Sequence, residues 1–468
     1  MNRHLLRLYH LLPGRARSTV ATLRGWYLKR WRYGAESEQL IEEALARDAW
    51  TAPQWAKWRE ERIAYVLHRA ATRVPYYRAH WDARRRLGDR ASWEVLENWP
   101  ILEKDEVRAN PRAFLADDCD PRNMFHEQTS GTTGKPIDMW RSRTTVATIH
   151  AIADARTGCW DGIAADARWA RLGGQLVTPV AQRRPPFWVW NAAMRQLYLS
   201  SFHLAPDLIP HYLDALARYR VVYLATYPSS AYALAQEIVR LGRNDLKLAA
   251  VYTNAEPLLP EQRETISAAF QCPVRETYGM AESVAGASEC SGGRLHQWPE
   301  FGHVELHEQG EVVATGLVNP DMPLIRYRVG DRAQAAPATA GPCSCGRGLP
   351  LIGRIEGRMN DVLFTADGRP VFWLNPVFYG LPVRQSQIVQ EHLDLLRIRV
   401  TPAPGFTAAT EQTIVSRLKE RMGDVRVIID RVAEVPRTAN GKLRAIICNL
   451  SPSQRAAALR TVPLPSSL

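Results

Sequence analysis

From Gln128 the chain reads Gln-Thr-Ser-Gly-Thr-Thr-Gly-Lys-Pro, ending at Pro136. Glycine tolerates positive φ, so Gly131 and Gly134 let the loop's N–H groups converge on an anion. The hydroxyls of Thr129, Ser130, Thr132 and Thr133 add donors, and Lys135 adds a positive charge. Such a set suits a polyphosphate. It is not a Walker A loop, which needs glycine where Thr129 stands and Ser or Thr where Pro136 stands. A second constellation is Cys290-x5-His296 with Cys343-x-Cys345. Three thiols and an imidazole form a structural zinc set, and four protein ligands leave no open position for catalysis. The spacing is looser than paired C-x2-C, so unlinked buried thiols are the alternative. A third feature is Asn440-Gly441, a tight-turn signal between strands, which puts Lys442 at a hairpin tip.

Further motifs follow the loop in a fixed order: Ala255-Glu256-Pro257, Tyr278-Gly279-Met280-Ala281-Glu282, Arg326-Tyr327-Arg328-Val329-Gly330-Asp331, Gly357-Arg358-Met359-Asn360-Asp361, and the run from Pro436 to Lys442. Together with residues 129–136 they resemble the core motifs of the adenylate-forming superfamily, which includes acyl- and aryl-CoA ligases, peptide-synthetase adenylation domains and luciferases. The matches cover about two-thirds of the chain, from 129 to 442, and their order is far more specific than any single motif. Within the superfamily the chain is similar to the phenylacetate–CoA ligase-like branch, with its coenzyme F390 synthetases and the CapK-like proteins of capsular polysaccharide clusters. Pro342-Cys343-Ser344-Cys345-Gly346-Arg347 and Arg30-Trp31-Arg32-Tyr33-Gly34 resemble the last of these.

The resemblance implies ATP-dependent adenylation of a carboxylic acid, with transfer to CoA or another acceptor. Attack of a carboxylate on an α-phosphate joins two anions and expels a third, so cations, amide donors and alignment are required. On this reading the 129–135 loop holds the β- and γ-phosphates, with Thr132 and Lys135 catalytic. Glu282 is a Mg²⁺ ligand, as suits an ion held by one or two carboxylates plus phosphate oxygens. Residues 255–257 and Tyr278, with Gly279, Met280 and Ala281, line the adenine. Asp331 accepts from the ribose hydroxyls and Arg358 reaches ribose or phosphate. Asn360 stands at the interdomain hinge, where relatives usually carry Asp or Lys. Lys442 stabilises the transition state of adenylation. Read singly, Glu282 is a helix-start acid, Asp331 a turn residue and Lys442 an exposed lysine. Two other functions stay open: adenylyl transfer to a hydroxyl, as in F390 synthetases, and a non-catalytic scaffold in polysaccharide assembly. Trp140, Trp188, Trp190, Phe202, His203, Tyr227 and Ser229 are candidates for the acid pocket, with a Trp-rich core as the alternative.

The elements that must position these residues are legible in the pattern. Helical stretches alternate with β-rich runs from about 145 to 270, such as 221–224 and 248–252, with a helix at 231–241 ended by Gly242. That alternation predicts βαβ units and a parallel sheet. A helical run covers 36–72, and short strands with Gly and Pro turns at 301–333 suggest a barrel-like section. The last hundred residues carry a strand at 396–400, a helix at 410–422 and two strands, 425–429 and 443–447, around a turn. The expected class is α/β: a basic arm (1–34), a large domain of mixed and parallel sheets with helices (35–358), and a small α+β lid (359–468).

The 468 residues carry a formal charge of +12, yet residues 1–34 alone hold eight Lys or Arg and no acid, leaving +4 elsewhere. The excess therefore argues against nucleic acid binding by the main body. The arm reads as a basic amphipathic element for an anionic membrane surface, or as a helix whose Leu, Trp and Tyr pack on the body. No secretory signal or spanning segment is evident. Seven cysteines, an odd number in a long chain, point to a reducing compartment. The expected location is cytoplasmic, peripheral to the inner face of the membrane, and a homodimer is open.

Overall fold

The computed structural model describes residues 3–129, 137–337, 341–358, 363–365, 370–371, 374–378, 380–438, 443–451 and 453–454. Its centre is a nine-stranded sheet. Five strands, Gln196–Ser200, Trp169–Gly173, Tyr223–Thr226, Ala250–Thr253 and Val274–Gly279, run parallel in that spatial order. Trp188–Asn191 closes one edge antiparallel. Gly286–Glu289, Leu295–Gln297 and Leu351–Ile352 extend the other edge, also antiparallel. The strand Ala250–Thr253 is buried throughout, as a parallel strand covered on both faces must be.

The helix Pro228–Leu241 shows how the sequence specifies this layer. Proline opens its first turn and Gly242, at φ 63°, closes it in the left-handed conformation that glycine adopts without strain. Ala231, Leu234, Ala235 and Ile238 recur at i, i+3, i+4 and i+7 and are buried on the sheet. Each buried Leu or Ile there contributes about 1.5–3 kcal/mol relative to exposure.

The barrel-like expectation corresponds to a four-stranded antiparallel sheet, Gly302–Leu306, Glu311–Gly316, Tyr327–Ala333 and Ile355–Arg358. A further four-stranded sheet lies near the C-terminus, its strands ordered Arg426–Arg431, Leu395–Pro402, Val383–His392, Ile446–Cys448. The helix Ala408–Met422 buries Ile414, Leu418 and Met422 against it.

Two expectations about elements are corrected. The 36–72 run is two helices, Ser37–Arg47 and Ala52–Arg73. Thr51 starts the second: its N–H donates to Gln54 Oε1 at 2.8 Å, and proline follows in the first turn. The two late strands do not pair around a turn but lie on opposite edges of their sheet, each parallel to its neighbour. The hairpin Val383–His392 with Leu395–Pro402 takes the centre because its Ile388, Leu396, Ile398 and Val400 supply the core. Arg437 and Leu443 nevertheless form an isolated antiparallel bridge.

At the other terminus, α1 (Arg3–Leu11) and α2 (Gly14–Arg32) form the arm. The second helix covers the sheet's open edge. Ser18 Oγ accepts from Trp190 N at 3.1 Å, and Thr22 Oγ1 accepts from Ala192 N at 3.1 Å. These hydroxyls satisfy edge-strand amides that would otherwise template aggregation.

Candidate active site

Residues 129–137 connect two antiparallel strands, Phe125–Gln128 and Asp138–Arg141, a hairpin that the sequence pattern did not announce. Thr129 is buried and pairs with Ile137: its N–H donates to the Ile137 carbonyl and its Oγ1 accepts from Ile137 N, both at 2.9 Å. The Thr129 hydroxyl oxygen is thus engaged as an acceptor, while its O–H remains able to donate. Thr129→Val leaves the Ile137 amide buried and unpaired, and an orphaned donor costs about 1–3 kcal/mol. Chemical denaturation should show that loss, and an unchanged midpoint would contradict it. Ser130, Gly131, Thr132, Thr133, Gly134 and Lys135 lie outside the described residues, as do Asn360 and Lys442.

Parallel sheets bind ligands beyond the carboxyl ends of their strands. Two of the motifs sit there on neighbouring strands: 255–257 follows Ala250–Thr253, and 278–282 ends and follows Val274–Gly279. Ala255 is held at φ 65°, left-handed backbone that costs a non-glycine residue free energy and clusters at functional sites. The Glu256 carboxylate bridges two elements: Oε2 accepts from Ser229 N at 3.1 Å and Oε1 from Leu443 N at 2.8 Å. The C-terminal chain, at the residue following Lys442, is therefore fastened to the 255–257 segment. A cavity of about 280 Å³ opens beside it, lined by Pro257, Arg263, Glu276, Arg354 and Ile355 among others. Burial and the nearby Glu289 charge push Glu276 up to about 7.

Two tyrosines cross between the large sheet and the four-stranded antiparallel one. Tyr278 donates to Asp331 Oδ2 at 2.9 Å, and Tyr327 donates to Glu282 Oε1 at 3.0 Å. Asp331 pairs in register with Arg358 on the adjacent strand. Glu282 also takes a 2.8 Å bond from Lys104 Nζ. Lys104 arrives because Leu102 lines up along Tyr327: Leu102 N donates to the Arg326 carbonyl and Arg328 N to the Leu102 carbonyl. Burial pushes the Glu282 carboxyl up, but the charge and hydrogen bond of Lys104, helped by Tyr327, outweigh it and the pKa lies below the usual carboxylate value. Glu282 is 5% exposed. In this arrangement an ammonium already neutralises it, so Mg²⁺ at Glu282 requires Lys104 to move aside.

Comparisons with known proteins place the chain beside a set of relatives. Residues 364–449 match the family model for the CapK C-terminal domain. The protein CapK of Staphylococcus aureus is 26% identical over 375 residues, covering 76% of this chain and 80% of that one. A phenylacetate-coenzyme A ligase of Pseudomonas putida is 26% identical over 353 residues, covering 71% and 77%. Over most of its length the chain is thus similar to CapK and to the phenylacetate–CoA ligases, which are adenylate-forming enzymes, and its C-terminal part matches the CapK model. The crystal structure of a 2-hydroxyisobutyryl-CoA ligase in its postadenylation state shares the fold, with a TM-score of 0.65, 20% identity, and coverage of 89% of this chain and 94% of that one.

Several residues of this ligase escaped sequence reasoning. Lys104 is 178 positions from Glu282, and nothing local marks it. Tyr327 was legible in part: it and Asp331 are four apart on one strand, hence on one face. Arg141, bonded to Glu127 Oε2 at 2.6 Å, also donates to the Ala281 carbonyl and so braces the 278–282 segment. Met280 packs against the neighbouring core. Of the acid-pocket candidates, Trp188 and Trp190 pack with Tyr212 and Tyr219. His203 is buried between Ser200 Oγ and the Pro179 carbonyl. The two tryptophans are half-buried against the core and His203 is fully buried, whereas Tyr227 and Ser229 begin the helix that Glu256 contacts.

The ligase's Cys290, His296, Cys343 and Cys345 converge, with their ligand atoms all within 4.8 Å of one another. Strand pairing brings them together. Cys290 follows Gly286–Glu289, His296 lies on the next strand, and His296 pairs in register with Leu351, just beyond the two later thiols. Cys290 and Cys343 sulfurs are 3.5 Å apart, and Cys345 Sγ is 3.3 Å from His296 Nε2. A tetrahedral zinc with bonds of about 2.0–2.3 Å spans such separations. His296 Nδ1 lies 3.2 Å from the Leu349 carbonyl, the kind of outer contact that leaves Nε2 for a metal. Among the described residues Cys119, Cys159, Cys272 and Cys448 are outside this set.

Proposed function

We propose that this chain joins a carboxylic acid to AMP, releasing pyrophosphate from ATP, and then passes the acyl group to CoA or another acceptor. The observation that carries the reading is convergence. Glu256, Tyr278, Glu282 and Asp331 come from three separated stretches, and the described bonds link them with Lys104, Tyr327 and the chain at Leu443.

In the proposed reaction an acid oxygen attacks the α-phosphorus and the bond to the β-phosphate oxygen breaks, so pyrophosphate leaves with the electron pair. Asp331, held by Tyr278, accepts from the ribose hydroxyls. Residues 130–135 donate to the β- and γ-phosphates, and Arg358 reaches ribose or phosphate. Lys442 stabilises the charge developing on the transferring phosphoryl group. Mg²⁺, when bound, would neutralise phosphate charge, with Glu282 the residue to hold it once Lys104 is displaced. Asn360 serves as the hinge through which the 359–468 lid turns. The names of the relatives support CoA as acceptor, and the likeness to CapK supports a place in capsular polysaccharide synthesis. Incubation with Mg-ATP and cell extract, followed by mass spectrometry, should reveal an acyl-AMP conjugate. Absence of acid-dependent ATP–pyrophosphate exchange across a broad acid panel would favour a scaffold instead.

The Cys₃His set is proposed to hold a structural Zn²⁺ that ties the Cys290 turn to the segment around 343–349. Elemental analysis of protein purified without chelator should give about one zinc per chain, and Cys343→Ser should lower both zinc content and thermal midpoint. Metal-free wild type with an unchanged midpoint would remove the proposal.

A further inference from the structure

The arm presents its apolar residues to solvent. At about 100° per residue, Arg17, Ala21, Gly25 and Leu28 share one side of α2, the side turned to the body. Arg17 is buried and donates to Thr178, and a Cβ on Gly25 would meet Asn191 Oδ1 at 2.1 Å. Leu23, Trp26, Tyr27 and Arg30 follow at i, i+3, i+4 and i+7 on the far side, and all four are exposed. Leu5, Leu8 and Leu11 make a matching stripe on α1, exposed by 57, 61 and 81%. Half of the large apolar side chains left most exposed among the described residues lie in these two helices. An amphipathic surface helix ordinarily turns that stripe inward.

The arm is not a loose tail. Tyr9 OH donates to the Val177 carbonyl at 3.1 Å, His10 Nε2 lies 2.8 Å from the Leu176 carbonyl, and Ser18 and Thr22 hold the sheet edge. Around the stripes Arg7, Arg15, Arg24, Lys29 and Arg30 are exposed, and no acid occurs before Glu36. A second copy of so basic a face would be repelled, whereas anionic lipid is complementary. No described helix is long and apolar enough to cross a membrane.

We propose that α1 and α2 form a rigid platform that docks this ligase on an anionic lipid surface. The apolar stripes enter the boundary between headgroups and acyl chains, while the basic residues meet lipid phosphates. The full chain should co-sediment with phosphatidylcholine vesicles containing about one-third phosphatidylglycerol, and far less with phosphatidylcholine alone. Leu23→Glu/Trp26→Glu should weaken partitioning roughly a hundredfold. Arg24→Gln/Arg30→Gln, which keeps the apolar stripe, should weaken it roughly twentyfold, at about fivefold per charge. Both variants lie on the outer face, so thermal midpoints should match wild type. No sedimentation of wild type with anionic vesicles, equal sedimentation with neutral ones, or undiminished binding by both variants overturns the proposal. So does a dimer in light scattering that Trp26→Glu dissolves without any vesicle binding, which assigns the face to a second copy.

Discussion

Lys442→Ala is expected to slow acyl-adenylate formation by about a hundredfold to a thousandfold, the usual effect of removing one preorganised donor from a developing charge. The lysine's proposed contact is made in the transition state, so the loss should fall on kcat while ATP affinity stays nearly unchanged. Acid-dependent ATP–pyrophosphate exchange measures the first quantity, and nucleotide titration calorimetry the second. Lys442→Arg should recover little, because a guanidinium is planar and longer than a compact ammonium. Leu443, the next residue, donates its N–H to Glu256 Oε1 at 2.8 Å. Glu256→Gln keeps that acceptor, whereas Glu256→Ala removes it, so on the proposed mechanism only the alanine variant should also slow adenylation. Equal exchange by Lys442→Ala and wild type, with a competent acid, would refute the assignment.

Lys104→Met is expected to have the larger effect on stability, about 3–5 kcal/mol, because it strands a buried carboxylate without its charge partner. Glu282 has only 4% of its side chain exposed, against 27% for Lys104, so the cost arises mainly from the carboxylate left behind. Adding Glu282→Gln to Lys104→Met should recover much of the loss, since removing both charges spares the desolvation. The pH dependence has a definite sign. In the wild type the Glu282 pKa is depressed, so its contribution is present above the unfolded value near 4.3 and fades as pH falls through the lower folded value. Without Lys104, burial is opposed only by the weaker hydrogen bonds from Tyr327 and the backbone, and the folded pKa rises. The variant is then penalised at neutral pH and relieved as Glu282 protonates. Urea titrations should show the gap between wild type and variant narrowing as pH falls through the variant's raised folded value, and closing further below about 4.3 as the wild type loses its own contribution. A gap independent of pH would mean that the ion pair is not its source.

Much of the architecture was legible because its signals are local. Proline in the first turn and Gly242 after the last bracket the helix Pro228–Leu241. Apolar runs separated by such helices gave the parallel sheet, and Thr51 with Gln54 shows where a capping box divides one helical pattern in two. The pairing of the last strands was not legible. The turn signal at Asn440-Gly441 says that the chain reverses, but not which edge of a sheet its far side joins.

The sequence by itself determined the chemistry on offer: a phosphate-type loop, carboxylates at 282 and 331, a lysine past a turn, three thiols with an imidazole, and an acid-free basic arm. Residue type and order carry that information directly. Only tertiary structure decided which of these groups act on one another. Lys104 and Tyr327 reach Glu282 through a stitched strand, three thiols meet His296 through sheet register, and the apolar stripe of α2 faces outward. Periodicity defines a stripe but not its direction. Here the opposite side, with Ser18, Thr22 and Gly25, met the unsatisfied amides of an edge strand, and that hydrogen bonding fixed which face was left to the surroundings.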